Sequence, residues 1–379
     1  MNIRMYNCYF GDCFKIENTS GNDLLVDFGI HATDTDIFHR TKRFDDIYSD
    51  VSGKNLDFLL SHYHDDHYNG VIYINDKYNY KFDDVYIPDI WNIGYNIQAV
   101  SLHLLRMILD RSTLNRGTTI FSFLKAICKN HSYVHFVSRG SKIQDQYIAL
   151  WPSEKFITIS TDKIFEKIRV DYEVSASDME RLLYFSSELI KIVQDISDPE
   201  YSGEDIVSRI DSLEVEFWGE EFGFNRALPG MVVELRKYEN NISIVFQNIK
   251  NIPNENLLFT GDFGNLKGLW DQIEMNYDSR PFCDMHSTYH AIKVGHHGTR
   301  GYYHSFAGRM NDDSNLLIPN GSNKPSWSIC SDYSLNAITH NSKVVCSMDS
   351  SCEAKRNNIG NCTCTNNYII GFSIYYYVT

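Results

Sequence analysis

Between Leu60 and Gly70 the chain reads "LSHYHDDHYNG", placing His62, His64 and His67 beside Asp65 and Asp66 within six residues, directly behind the apolar run "LDFLL". Imidazole nitrogens and carboxylate oxygens are the common ligands of Zn²⁺ and related divalent ions. In an extended segment the alternation of His62 and His64 sends both rings to one side, where they can pinch one ion. If the chain turns into a helix just afterwards, Asp66 and His67 can face a second ion about 3.5–4 Å from the first, the usual separation in two-metal hydrolases. A solvated loop rich in His and Asp explains a lone His-x-His well. It explains the whole pattern at the end of an apolar strand poorly.

The elements that must present these residues are legible in outline. "NDLLVDFG", "NLDFLLSH" and "VYIP" read as short buried strands, and from Ile97 to Cys128 the apolar period shifts to three and four residues, as in helices. Strands resume with "SYVHFV" and "QYIALWP". Residues 154–230 form a polar, helical insertion without histidine or cysteine; within it Ser177 and Glu180 are spaced as a capping box, and the helix they open stops near Pro199. It is expected to cover one edge of the core. The runs "GMVVELRKY", "NNISIVFQNI", "ENLLFTGDFG", "HAIKVGHHGT" and "NLLIPNG" follow as short apolar segments ended by turn residues. Strands with interspersed helices predict a layered α/β or α+β fold, read as a single domain over 1–379.

Composition sets outer bounds. The 379 residues are 43% hydrophobic and 14% aromatic, enough for a substantial core. The first residues lack the apolar h-region of a signal peptide and no run is long enough to span a bilayer, so a cytoplasmic protein without membrane contact is expected. A formal charge of −14 with no long basic run disfavours long duplex nucleic acid as partner. Cys8, Cys13, Cys128, Cys283 and Cys330 are scattered as reduced thiols would be. Cys346, Cys352, Cys362 and Cys364 are denser but lack the paired C-x-x-C spacing of a zinc ribbon.

The His62-x-His64-x-Asp66-His67 pattern resembles the H-x-H-x-D-H signature of the metallo-β-lactamase superfamily, and further segments recur in that family's order. "LLVDFG" resembles its first motif, "LLFTGDFG" the strand-end motif carrying a bridging aspartate, and "IKVGHHGT" its final histidine motif. The wording is most similar to the soluble hydrolase domain of competence-type DNA-uptake proteins, through "NNISIVF", "KVGHHGT" and Pro325–Ser326 in "GSNKPSWSICSDY". The resemblance implies a four-layer αββα sandwich. It also implies His62 and His64 at a first metal, Asp66, His67 and His296 at a second, and Asp262 bridging, with His297 left as a donor to substrate or transition state and Asp27, Ser243 and Thr299 steadying the ligands. One or two Zn²⁺ ions, two by preference, with Mn²⁺ as the alternative, would lower the pKa of a bound water and hold the resulting hydroxide, oriented by Asp66, against the substrate.

No histidine lies between His135 and His286, where many members supply another ligand to the first metal; the matching region holds Asn240, Asn241 and Ser243. Either an oxygen or amide ligand substitutes, or that site is weak. The implied activity is hydrolysis of a phosphodiester in a nucleotide or oligonucleotide. Hydrolysis of a carboxylic ester, lactone, thioester or amide is the enzymatic alternative, and a non-catalytic binding module the other. Elsewhere, His286 and His290 read as surface or supporting residues, and His103, His131 and His135 as core or surface histidines. Arg300 follows the last motif, where it could neutralise an anionic substrate group; Tyr63 reads as pocket lining or packing; the "FGD" turn at Asp12 needs no chemistry.

Overall fold

The computed structural model describes residues 2–33, 35–110, 118–129, 133–172, 174–198, 200–223, 229–264, 267–321, 329–333, 335, 343–347, 369–370 and 373–377. Within them the chain is a mixed α/β structure with two mixed sheets. The first sheet contains β1 (Asn2–Tyr6), β2 (Cys13–Glu17), β3 (Asp23–Phe28), β4 (Leu56–Leu59), β5 (Asp84–Pro88) and β6 (Tyr133–Val137), extended beyond β1 by β15 (Ser373–Tyr377) and β14 (Ile369–Ile370). The second runs β13 (Lys343–Cys346), β12 (Met310–Ile318), β11 (Tyr289–Lys293), β10 (Leu257–Phe259), β9 (Val245–Asn248), β8 (Tyr147–Trp151) and β7 (Lys142–Ile143). Each sheet is antiparallel on one side and parallel on the other, changing at β3 in the first and at β10 in the second.

The apolar runs explain this arrangement. β4 and β5 are flanked by parallel neighbours, and β4 is buried along its whole length, as continuous rather than alternating hydrophobicity requires. Ile3, Phe14, Val26 and Leu59 of the first sheet share one core with Phe246, Phe259, Ala291 and Leu317 of the second. Phe28, Phe58 and Val85 belong to another core, with helices α1 (Ile37–Val51), α2 (Asn69–Tyr78), α3 (Ile93–Asp110) and α4 (Ile120–Cys128). Leu258 and Ile292 pack with Leu269, Trp270 and Ile273 of the helix Lys267–Glu274.

Between the adjacent antiparallel strands β8 and β9 the chain makes a helical excursion: α5 (Glu154–Asp171), α6 (Ala176–Gln194), α7 (Gly203–Gly219) and α8 (Pro229–Asn241). Three expectations are corrected here. The excursion continues through "GMVVELRKY" to Asn241, because Met231, Leu235 and Tyr238 are buried at helical spacing while Val233 is exposed. α6 is capped two residues earlier than expected, by Ser175, whose side chain accepts from the Asp178 amide. The helices pack chiefly on α3 and α4 rather than on a sheet edge, although the 3-10 turn Asp195–Ser197 reaches the edge strand β6. Among the described residues no helix is long and apolar enough to cross a membrane. Cys8, Cys13, Cys128, Cys283 and Cys330 are free and buried, and Cys346 is buried. Cys352, Cys362, Cys364, His131, Pro199, Pro325 and Ser326 lie outside the described residues.

Candidate functional site

The segments singled out by sequence meet where strands end. His62 follows β4, Asp262 follows β10, and His296 and His297 follow β11; all three strands have a parallel neighbour, and ligands in α/β sheets favour such carboxyl ends. After β4 the chain bends at His62 and Tyr63 rather than running extended as expected, is extended at His64, and tightens into the 3-10 turn Asp65–His67. This brings the ring centroids of His64 and His67 to 4.5 and 4.1 Å from that of His62, the first edge-on and the second tilted. Two glycines permit the close approach. A Cβ on Gly29 would lie 2.3 Å from the Asp66 carbonyl carbon, and Gly261 takes a left-handed φ of +51° between Ser61 and Ser243.

Asp262 Oδ2 is the focus. It lies 3.4 Å from His67 Nε2, 3.5 Å from His297 Nε2, and 3.9 Å from the Nε2 atoms of His62 and His296. The opposite ring nitrogens fix where the protons are. His67 Nδ1 is hydrogen-bonded to Asp27 Oδ2 at 2.9 Å, and a carboxylate only accepts, so a proton sits on that Nδ1; His297 Nδ1 lies 2.9 Å from Asp12 Oδ1 without the alignment of a hydrogen bond. Ser61 Oγ donates to Asp27 Oδ2, so it must accept from His62 Nδ1 at 3.1 Å. Thr299 Oγ1 donates to the His296 carbonyl and therefore accepts from His296 Nδ1 at 2.8 Å. All four imidazoles thus turn Nε2 towards the Asp262 carboxylate.

Acceptor facing acceptor in a buried site is unfavourable unless a proton or a metal ion lies between them. Nε2 of His62, His67 and His297 is buried without a hydrogen bond. Four groups, His62–His67–Asp262, Asp66–His67–His297, Asp12–Asp27–His67 and Asp12–Asp262–His297, have ligand atoms within 4.8 Å of one another and could hold a metal ion. The donors are nitrogen and oxygen, which suits Zn²⁺ and Mn²⁺.

The electrostatics express the same demand. Burial pushes the Asp262 carboxyl up, but the imidazoles of His297, His67 and His296 outweigh it and hold it well below the usual range. Asp66 is likewise opposed by burial yet held to about 2, chiefly by His67, His31 and His297. Burial pushes His67 and His297 down, and Asp262 together with Asp27 for the first, or Asp12 for the second, more than reverses this. Burial and the neighbouring imidazoles of His67 and His64 leave His62 well below its ordinary value. Without a metal, protons on His67 and His297 carry the compensating charge.

The two histidines of the final motif differ from expectation. Both take left-handed φ values, +44° at His296 and +53° at His297, which non-glycine residues seldom adopt. The turn swings the fully buried His297 into the group with Asp66 and His67; His296 stays half-buried at the rim, stacked on Tyr302 at 3.9 Å. Asp27, also left-handed at +54°, links Ser61 and His67, and Ser243 Oγ accepts from the Asp262 amide.

His64 is not in any of the four groups among the described residues. Its Nε2 lies 2.8 Å from Glu239 of α8. Tyr63 is packing, its hydroxyl donating to Pro88 O and accepting from Trp91. His286 is buried against Asn248 O, His135 pairs with Asp84, and His103 is a buried hydrogen-bonded histidine; His290 lies within β11 and Arg300 is exposed.

Sequence reasoning passed over Asp12, Lys293 and Glu239. The "FGD" turn carries chemistry after all: Asp12 is fully buried between His297 and Lys293, with Lys293 Nζ also 3.5 Å from Asp262 Oδ1. Lys293 sits in the quoted "IKVGHHGT" run, and its place at the end of β11, three residues before His296, was the available signal. No protein-family model matches the chain, and a search of curated proteins finds no match.

Proposed function

We propose that the chain is a metal-dependent hydrolase on a four-layer αββα sandwich of the metallo-β-lactamase kind, cleaving a phosphodiester in a nucleotide or short oligonucleotide. Two sheets sharing a core, each with helical packing on its other side, support the sandwich. The observation that carries the chemistry is the convergence of four imidazole Nε2 atoms on Asp262 Oδ2.

His62, His67 and His297 with Asp66 and Asp262 would hold the ions, Zn²⁺ or Mn²⁺. When bound, they supply Lewis acidity that makes water a nucleophile near neutral pH. Asp66, held ionised, accepts a hydrogen bond from that water and orients its oxygen towards phosphorus. The water oxygen bonds to phosphorus as the ester P–O bond breaks, and the leaving oxygen takes a proton. His297, turned inward, cannot give that proton, and His296 has its own on Nδ1 against Thr299. Tyr302 is the donor in this reading. Its oxygen accepts from Asn240 Nδ2 at 2.9 Å, which leaves the hydroxyl proton for a substrate, and burial raises its pKa so that the phenol stays protonated. The acidic surface charge favours a small phosphoester over long duplex DNA.

The test is a substrate panel of bis-p-nitrophenyl phosphate, cyclic dinucleotides, single-stranded DNA and generic esters, with and without chelator. Chelator-sensitive diester cleavage is expected, and Tyr302→Phe should lower kcat by about 10²-fold while leaving bound metal unchanged. Preferential ester cleavage would point to acyl transfer, and bound metal without turnover on any substrate to a binding module.

A further inference from the structure

The two oxygens of Asp262 face different partners. Oδ2 meets the four imidazoles, whereas Oδ1 lies 3.5 Å from Nζ of Lys293, the last residue of β11. The same Nζ donates to the Gly261 carbonyl at 2.5 Å and pairs with Asp12 Oδ2. Lys293, Asp12 and Asp262 are all buried, and among the described residues neither Asp12 Oδ2 nor Asp262 Oδ1 makes a hydrogen bond. The ammonium is therefore the charge that answers both carboxylates. Three oxygens converge on one buried point, and the chain's own cation fills it. Two of the four possible ligand groups, Asp12–Asp27–His67 and Asp12–Asp262–His297, draw on this same Asp12. In the first of them His67 Nδ1, 3.8 Å from Asp12 Oδ2, already gives its proton to Asp27. The hydrolytic reading uses neither group.

We infer that Lys293 is a resident cation that closes the Asp12 side of the cluster to metal, confining ions to the side of Asp262 that meets His62, His67 and His297. The inference rests on the metal-centre reading. A lysine ammonium is a compact point charge. A divalent ion held by Asp12 would sit beside it in a buried site, where like charges repel with little screening. Without the ammonium, the same place is lined by two carboxylate oxygens and one carbonyl oxygen, a donor set that suits a hard ion such as Mn²⁺. The competing account is that Lys293 only ties β11 to the turn at Asp12 and to the loop after β10.

Lys293→Ala in the full chain distinguishes the two, because it removes the charge and leaves room for an ion. After incubation with Mn²⁺ and removal of free ions, elemental analysis should find about one ion per chain more than in the wild type. Mn²⁺ should also raise the melting temperature of this variant by more than it raises that of the wild type. The double variant Asp12→Ala/Lys293→Ala, which lacks the carboxylate, should not exceed the wild-type count. Equal counts in Lys293→Ala and the wild type overturn the inference, as does an additional ion that survives in the double variant. Crystals of the Mn²⁺-loaded wild type decide the matter even if the variants do not fold. Anomalous density should lie among Asp262 Oδ2 and the imidazoles and should not touch Asp12; a peak in contact with an Asp12 oxygen overturns the inference. A wild-type chain that retains neither Mn²⁺ nor Zn²⁺ overturns the metal-centre reading itself, and the inference then stands or falls on the gain in Lys293→Ala.

Discussion

Asp262→Asn is expected to lose bound metal to background and to lower turnover by at least about 10³-fold, while the metal-free protein melts below the wild-type temperature at neutral pH. Both effects follow from geometry. Asp262 Oδ2 faces four Nε2 atoms, of which those of His62, His67 and His297 are buried without a hydrogen bond. The carboxylate needs positive charge there, from a metal ion or from protons on His67 and His297, whose pKa values it raises. A neutral amide of the same shape holds neither the ion nor the protons. Elemental analysis paired with thermal unfolding in chelator reads both effects. Tight stoichiometric metal in the variant, or an unchanged melting temperature, would contradict the role given to Asp262.

Asp12→Ala is expected to cost about 3–5 kcal/mol of stability, the usual consequence of leaving a buried charge without its partner. The stranded charge is Lys293, 1% exposed, whose Nζ pairs with Asp12. Burial alone would discharge this lysine, and Asp12 and Asp262 keep it protonated. Asp12 is in turn pushed up by burial and held ionised by Lys293 and His297. The two substitutions should therefore couple: Lys293→Met should recover much of the loss, giving a double variant more stable than the sum of the single effects. Asp12→Ala should also weaken metal binding about 10–100-fold, because His297 loses the carboxylate that lies 2.9 Å from its Nδ1. Denaturant unfolding of the four proteins in chelator measures the coupling. A cost under about 1 kcal/mol with additive effects would mean that the pair does not organise the site.

What could be read from sequence was whatever chemistry is encoded by short spacing. His62, His64, Asp66 and His67 are grouped within six residues, and Asp262 and Asp27 are marked by apolar runs that end in a glycine turn. The order of His296 and His297 was not legible, since two successive left-handed residues reverse which ring points inward. Asp12 looked like turn chemistry because its partners, His297 and Lys293, lie far along the chain and reach it only when loops from both sheets stack. Glu239 was hidden differently. It belongs to a helix whose sequence reads as a short apolar segment, and a glutamate near a helix end has no local mark that distinguishes a solvated side chain from a buried one. The strand pairing of β8 with β9 explains why it arrives at the site: the excursion must return beside the strand it left. Sheets and helices in layers were similarly readable from apolar periodicity, whereas the packing of α5–α8 on α3 and α4 depends on surface shape that periodicity does not specify.

The central claim is that a cation belongs among the imidazoles around Asp262. The most direct test is elemental analysis of the folded full chain after incubation with Zn²⁺ and with Mn²⁺ and removal of free ions. The account predicts one to two ions retained per chain, lost in Asp262→Asn. A folded wild-type chain retaining neither metal would contradict it.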